Sequence, residues 1–414
     1  MHTDIPEELA KDPWFKVVEF LQQNWAVVIE RKEDALVVFY GDTCGVFDEM
    51  PFPTLDDAEC ALRRNGFSKF KKDKESQKFI GLPRGKFSEM PHINGRIYSS
   101  GRFWIEDTLT EFKLTKQRRN MSKLHILPCL DSTQMATSRR QELNIPRDTA
   151  AVLGRSAVEA ARAGFYFTKE GKKVIWRNAV HNACAAKLSL RPDAMLPVNE
   201  QTVFTETMVQ VTNETTLGAS RRLVDRGLHP LALNFANGIH PGGGFLRGAR
   251  AQEEVLCRSS ALYLTLVGDP MYENHQMRPL PDSTDWAIYS PDVPVFRTDD
   301  GTELPDPWLL SFLTCAAPYA PRIGQPQAGN LLQKRIHRVL AIARSHGYST
   351  LVLGAWGCGA FANDPRRTAV DFRRALENDY NGAFSEIVFA ITDWSAERKF
   401  LGPFCDVFSA NNNA

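Results

Sequence analysis

An apolar strand that runs into three consecutive glycines and then into a helix constrains this chain more than any other feature. Leu231-Ala-Leu-Asn-Phe235 leads through Asn237-Gly-Ile-His240-Pro to Gly242-Gly243-Gly244. After seven intervening residues Gln252-Glu253-Glu254 opens a helical stretch that continues Val-Leu-Cys-Arg-Ser-Ser-Ala-Leu. Glycine has no Cβ, so three in a row let the backbone take positive φ and come close to a ligand. Strand, loop and helix in that order predict a site at the carboxyl end of a strand, where open α/β sheets bind their ligands. Two neighbouring carboxylates then stand beside a loop able to lie against a sugar. The plainer reading is a surface turn with an acidic helix start; the preceding Asn and the following Gln-Glu-Glu at this spacing argue for a site instead.

The rest of the chain predicts where such a site sits. From about residue 140 onward, apolar strands (230–236, 311–316, 350–354, 386–391) alternate with helical stretches (331–345, 366–377), the pattern of a three-layer α/β domain. The first part reads as a smaller α+β domain. Residues 14–21, Trp-Phe-Lys-Val-Val-Glu-Phe-Leu, have helical spacing of apolar residues, and residues 26–29 and 36–40 read as a hairpin. Thr54 is the expected N-cap of a helix with acids in its first turn, arginines in its last and Asn65-Gly66 at its end. A basic, weakly patterned stretch from Lys113 to Lys123, punctuated by Pro128 and Asp131, predicts a connection near residues 113–132. The expected division is an accessory domain of unknown role at 1–124 and a catalytic domain at 133–414.

Composition narrows the partners. Fifty Lys and Arg against 49 Asp and Glu leave no global field to attract nucleic acid or an anionic membrane, so anion recognition must be local. No apolar run approaches the roughly 20 residues of a membrane span, and the first residues lack an export pattern, so a cytoplasmic or nuclear location is expected. The eight cysteines contain no Cys-x-x-Cys pair, which argues against a disulfide framework or a zinc ribbon and predicts mostly buried thiols.

The Gly-Gly-Gly loop running into Gln252-Glu253-Glu254 resembles the catalytic signature of the poly(ADP-ribose) glycohydrolases of the compact bacterial type. Further segments resemble that family in its order: residues 211–216 (Val-Thr-Asn-Glu-Thr-Thr), 288–297 (Ile-Tyr-Ser-Pro-Asp-Val-Pro-Val-Phe-Arg), 353–364 (Leu-Gly-Ala-Trp-Gly-Cys-Gly-Ala-Phe-Ala-Asn-Asp) and 387–391. The likeness covers about residues 133–410 and not the first 125 or so. It implies a macrodomain-like α/β/α catalytic domain that hydrolyses ribose–ribose O-glycosidic bonds without a cofactor or metal. The implied partners are poly(ADP-ribose) or ADP-ribosylated proteins, with ADP-ribose as product, no membrane or nucleic acid, and a monomeric enzyme. A non-catalytic ADP-ribose reader, a hydrolase of mono-ADP-ribosylated targets, and a scaffold whose N-terminal domain binds nucleic acid are the alternatives.

The resemblance assigns proton transfer to Glu254, first as acid and then as base, and contacts with the ribose hydroxyls to Glu253 and Asn237. Most glycosidases divide acid and base work between carboxylates about 5–9 Å apart across the sugar. Adjacent residues on a helix point about 100° apart and cannot straddle a ring, so one must transfer protons while the other grips. Burial beside a second carboxylate raises a carboxyl pKa and outweighs the helix N-terminus, which lowers it; Glu254 is therefore expected to carry a proton once substrate excludes water. Gln252 is expected to brace the loop. With Gly242, Gly243 and Gly244, the second loop, Gly357-Cys358-Gly359-Ala360-Phe361, completes the expected substrate site: its backbone N–H groups suit a pyrophosphate, and Phe361 matches the family aromatic on the adenosine side. Cys358 reads as a structural thiol rather than a nucleophile, and Phe361 could equally be a core residue. His240 could contact ligand or steady the loop, while His181 and His229 lack partners at metal-ligand spacing. The basic, aromatic-interleaved run Arg63, Arg64, Lys69, Lys71, Lys72, Lys74 and Lys78 with Phe67, Phe70 and Phe79 could hold polymer, yet Asp73 and Glu75 interrupt it and a solvated face explains it as well.

Overall fold

A computed structural model describes residues 5–90, apart from 19–21, 33, 66 and 75, and residues 123–409, apart from 198–202. The chain divides into two compact units, residues 1–116 and 117–414. Most of the expected basic connection (113–122) and the Asn-rich tail from 410 lie outside the described residues.

The smaller unit is built on a six-stranded sheet in the order β5-β1-β2-β3-β4-β6. Its strands are β1 (Trp14–Val18), β2 (Gln22–Glu30), β3 (Ala35–Tyr40), β4 (Gly45–Phe52), β5 (Ser68–Lys69) and β6 (Ser88–Glu89). The expected hairpin forms, with Val28 opposite Val37. Alternation along β2 and β3 sends Ala26, Val28, Val37 and Phe39 to one face, where Ala58, Ala61 and Leu62 of the helix Leu55–Arg64 cover them. Trp25, Val27, Leu36, Val38 and Tyr40 go to the other face and form a second core with Phe15 and Phe70. Thr54 caps the helix as its position predicts, accepting a hydrogen bond from the Asp57 amide at 3.2 Å. The stretch from Trp14 is a strand, not the expected helix. Trp14 joins one core and Phe15 the other, so a sheet buried on both faces tolerates consecutive apolar residues, whose spacing imitates a helical stripe.

The larger unit carries an eight-stranded sheet in the order β10-β13-β14-β12-β15-β16-β11-β7, together with a small separate ribbon of β8 (Phe165–Phe167) and β9 (Lys173–Ile175). The strands are β7 (Lys123–Ile126), β10 (Leu188–Leu190), β11 (Glu206–Thr212), β12 (Pro230–Ala236), β13 (Ala287–Arg297), β14 (Glu303–Ala316), β15 (Thr350–Leu353) and β16 (Glu386–Ala390). From β14 to β7 neighbouring strands are parallel, while β13 and β10 are antiparallel. Leu231, Leu233, Leu351, Leu353, Ile387 and Phe389 pack on one face with the helices Gln327–Ser345 and Pro365–Glu377. Ala232, Val352 and Val388 point the other way, against the helices Arg147–Ala163 and Gln252–Ser259. The result is the expected three-layer α/β/α sandwich.

Two features correct the sequence reading. Residues 123–126, expected within the connection, form β7 of the sheet, paired with β11, and Leu130 adds an isolated bridge, its amide donating to Val211 O at 2.9 Å. Cys129 and Cys405, 276 residues apart, form a disulfide that sequence spacing did not suggest. Of the remaining thiols, Cys44, Cys257, Cys315 and Cys358 are buried, Cys184 is partly buried and Cys60 is exposed.

Candidate active site

The carboxyl ends of β12, β15, β16 and β11, neighbours in the sheet, open onto one cavity of about 410 Å³. Parallel strands end their loops on the same side, so residues distant in sequence converge there. The lining includes Asn237, Gln252, Glu253 and Glu254 after β12; Ala355, Trp356, Gly357, Gly359, Ala360 and Phe361 after β15; Ile391, Thr392 and Trp394 after β16; and Glu214, Thr215 and Thr216 after β11.

The two carboxylates face different ways, as neighbours on a helix must. Glu253, 3 % exposed, turns back to the strand end: Oε2 accepts from the Asn237 amide at 2.7 Å and Oε1 from Asn234 Nδ2 at 3.4 Å. Burial pushes its carboxyl up to about 8, with the nearby Glu254 charge adding to the rise. Glu254, 9 % exposed, accepts from the Gly244 amide at 2.9 Å and lines the cavity. Between them Gly243 sits at φ +57°, where a Cβ would fall on Glu254 Oε1 and within 3.1 Å of Glu253 Oε2. Gly242, at φ +70°, is hemmed in by the Phe245 ring at 2.9 Å. Gly242, Gly243 and Gly244 thus form a tight turn behind the carboxylates and are not part of the cavity lining.

Gln252 bonds to the strand before the loop rather than to the glycine turn itself. Its Oε1 accepts from the Phe235 amide at 2.9 Å, and its Nε2 donates to Leu233 O at 2.8 Å and Thr216 Oγ1 at 3.1 Å, tying the helix start to β12 and to the helix Thr216–Asp225. Asn237 Oδ1 accepts from the Ile239 and His240 amides, both at 3.0 Å, while its Nδ2 has no acceptor among the described residues. His240 itself is exposed and, like His181 and His229, lies outside the cavity lining. No group of three or more His, Cys, Asp or Glu suited to a metal occurs among the described residues.

The second loop is arranged differently. The Trp356, Cys358, Ala362 and Asn363 amides are used within the loop, bonding to Gly354, Ala355, Gly359 and Gly357 carbonyls. The amides of Gly359, Ala360 and Phe361 have no acceptor among the described residues and belong to cavity-lining positions. Such a row of backbone donors suits an anion. Phe361 is half-buried, edge-on to Tyr319 with centroids 5.7 Å apart. Cys358, expected among the substrate contacts, is not a cavity-lining residue: its thiol turns inward to Trp356 O and Thr368 Oγ1, and burial pushes it up to about 12.

Several residues escaped the sequence reading. Asp299, buried beneath the cavity wall, accepts from Thr215 Oγ1 at 2.8 Å, and burial pushes its carboxyl up to about 7. Arg258, 1 % exposed, donates to Asp299 O and lies within electrostatic reach of Glu254. Arg250 anchors its guanidinium on Ile145 O at 2.8 Å, while Trp394 and Phe400 also line the cavity. His275 holds the glycine loop from behind: its Nδ1 donates to Gly238 O at 3.0 Å and its Nε2 accepts from the Thr284 amide at 3.1 Å. Burial keeps that ring neutral, with its pKa down at about 4.

The chain is similar to known proteins of one family. The microbial-type PARG catalytic domain, PARG being poly(ADP-ribose) glycohydrolase, matches residues 154–298. The poly(ADP-ribose) glycohydrolase of Thermomonospora curvata matches at 38% identity with a TM-score of 0.60, over 63% of this chain and 99% of that one. The same enzyme bound to the inhibitor ADP-HPD matches at 39% identity and a TM-score of 0.58, over 63% of this chain and 99% of that one. The Deinococcus radiodurans enzyme in complex with ADP-ribose matches at 36% identity and a TM-score of 0.52, over 57% of this chain and 100% of that one. A search of curated proteins finds no match. With more than a third of its residues identical over nearly the full length of these solved enzymes, the chain belongs to the microbial-type poly(ADP-ribose) glycohydrolases.

Proposed function

We propose that Glu254 carries both proton transfers in the reaction that family membership gives this chain, hydrolysis of ribose–ribose O-glycosidic bonds in poly(ADP-ribose) with release of ADP-ribose. The observation that carries the assignment is the division of labour between the two carboxylates. Both line the cavity, but Glu253 is committed to the strand end through Asn237 and Asn234, whereas Glu254 accepts one hydrogen bond among the described residues, from the Gly244 amide. A group that must give up and regain a proton needs such freedom of partners.

In this reading the ribose lies against Asn237 Nδ2 and Glu253, with the pyrophosphate on the amides of Gly359, Ala360 and Phe361 and the adenosine side toward Phe361. Protonated Glu254 gives its proton to the glycosidic oxygen as the bond from the anomeric carbon breaks and positive charge develops on the sugar. The leaving ribose departs as an alcohol. The Glu254 carboxylate then takes a proton from water as that water attacks the anomeric carbon, which restores the acid and completes hydrolysis. Every lining residue falls between positions 143 and 400 of one chain, which supports a catalytic unit complete in itself and a monomer as the working form, with the smaller unit accessory.

Glu254→Gln tests the assignment, because it preserves shape while removing the titrating proton. Release of ADP-ribose from automodified polymerase should fall about 10²- to 10⁴-fold, with ADP-ribose affinity by calorimetry kept. Turnover within about threefold of wild type would assign the proton transfers elsewhere.

A further inference from the structure

The smaller unit carries a strap whose charge its packing does not explain. Residues 70–87 leave β5, at one edge of the sheet beside β1, and arrive at β6, at the opposite edge beside β4. Five strand spacings of about 4.8 Å separate those edges, so the strap crosses roughly 24 Å. It is held from below by apolar residues. The Phe70 ring packs against Phe15 at 5.3 Å and Trp25 at 5.1 Å, Phe87 meets Tyr40 edge-on at 5.0 Å, and Ile80 joins the same core.

Lys71, Lys72, Lys74, Arg84 and Lys86 are all exposed, and none forms an ion pair with a described residue. Phe79 is 86 % exposed, and Asp73 spends its carboxylate on the Ser76 amide and hydroxyl, at 3.0 and 2.9 Å. Charge in this unit is segregated: residues 63–90 hold nine Lys or Arg against three Asp or Glu, whereas residues 1–62 hold four against fourteen. Packing needs only the apolar anchors, and like charges gathered along one strap repel one another, a repulsion that salt screens and an anion lying across them would turn into attraction. Acids are abundant in the same unit, yet no described acid forms an ion pair with any of these five.

We propose that this cationic strap is a second, non-catalytic binding track for the poly(ADP-ribose) chain, with pyrophosphates along the cations and an adenine on Phe79. The proposal rests on the reading of the larger unit as a poly(ADP-ribose) glycohydrolase, which makes that polymer the polyanion the chain meets. A track on the same polypeptide raises the effective concentration of long substrate at the active site and leaves short substrate unaffected.

The test uses the full chain. In a Glu254→Gln background, so that polymer survives, Lys71, Lys72, Lys74, Arg84 and Lys86 are all changed to Gln, and binding of end-labelled long poly(ADP-ribose), ADP-ribose and single-stranded DNA of matched charge is followed by anisotropy. Long-polymer affinity should fall at least about tenfold and ADP-ribose affinity should hold, as expected when counterion-releasing contacts are lost. With about 0.7 of a log–log slope per contact on a single strand, the parent should lose roughly a hundredfold more affinity than the variant between 50 and 200 mM salt. A second variant that exchanges Lys for Arg and Arg84 for Lys should bind polymer like the parent, which separates charge from folding. Unchanged polymer affinity in the Gln variant, or loss in the charge-conserving one, overturns the proposal, and DNA bound as tightly as polymer reassigns the strap to nucleic acid. Failure of the underlying reading is seen separately, as absence of ADP-ribose release by the unmutated chain.

Discussion

The two glycine loops of the active site use the same residue for opposite purposes. After β12, Gly242 and Gly243 take positive φ and every position a Cβ could occupy is already filled, by Phe245, Cys257 or the two glutamates. After β15, Gly357 is equally crowded, against Ala317 and Asn363, but Gly359 has nothing within 4 Å of a built Cβ and has no positive φ. The first loop is a clamp whose product is the position of two side chains. The second is a shelf whose product is its own backbone. A glycine-rich sequence therefore does not reveal which atoms face the ligand.

Gly243→Ala attacks the clamp directly, since the new methyl would fall on Glu254 Oε1. A displacement of about 1 Å at a reacting group costs on the order of 10²-fold in rate, so turnover should drop at least that far while the melting point changes less than in a core truncation. Near-normal turnover would mean the clamp is not what positions Glu254.

Glu253 supplies the next largest effect, read as stability against pH. Its folded-state pKa of about 8 lies above the ordinary 4.5, so the folded protein holds a proton there that the unfolded chain releases. Its contribution is fully present below pH 4.5 and is lost as pH rises through about 8, on the order of a few kcal/mol over the window. Glu253→Gln, neutral at all pH, should flatten that decline in thermal melts; an identical pH profile would show that the site keeps Glu253 ionised at no cost.

On the shelf, Phe361→Ala should weaken ADP-ribose binding by about 1–3 kcal/mol if the ring stacks on the ligand. A core Phe would cost about 3–5 kcal/mol of fold stability. Titration and melting of one sample discriminate, because a strongly lowered melting point with native-like affinity in the folded fraction removes the ligand role. Gly359→Ala should be the mildest, within about 0.5 kcal/mol in stability, with any loss confined to ADP-ribose affinity. A large drop in melting point would mean that this glycine, too, is structural.

What could be read from the sequence follows from contiguity. Asn237, the glycine triplet and Gln252-Glu253-Glu254 lie within one strand–loop–helix, so their spacing alone predicts their meeting, and Thr54 announces its helix by local chemistry. Asp299, Trp394 and Phe400 reach the cavity from other strand ends, and only the sheet order brings them there. Asp299 sits in a run, Asp-Asp-Gly, that reads as an ordinary turn. His275 braces Gly238 from 37 residues away, and Cys129 meets Cys405 across 276, distances at which no periodicity carries information. The strand at Trp14 is hidden in the sequence for another reason: burial on both faces erases the alternation that marks a strand.

One consequence follows from β7, the four-residue strand at the rim of the larger sheet. Next to it β11 presents Glu206, Thr207, Met208 and Val209, a run that without β7 would offer open backbone donors and acceptors to any passing strand. A bare rim of that kind is a template for chain-to-chain pairing. Lys123-Leu-His-Ile closes it with a strand too short and too polar to recruit the next molecule, its His125 half-exposed and paired with Glu206 at 3.0 Å. The last strand of the sheet thus acts as a selvedge: a short border that presents less open backbone to a neighbouring molecule than the seven residues of β11 would.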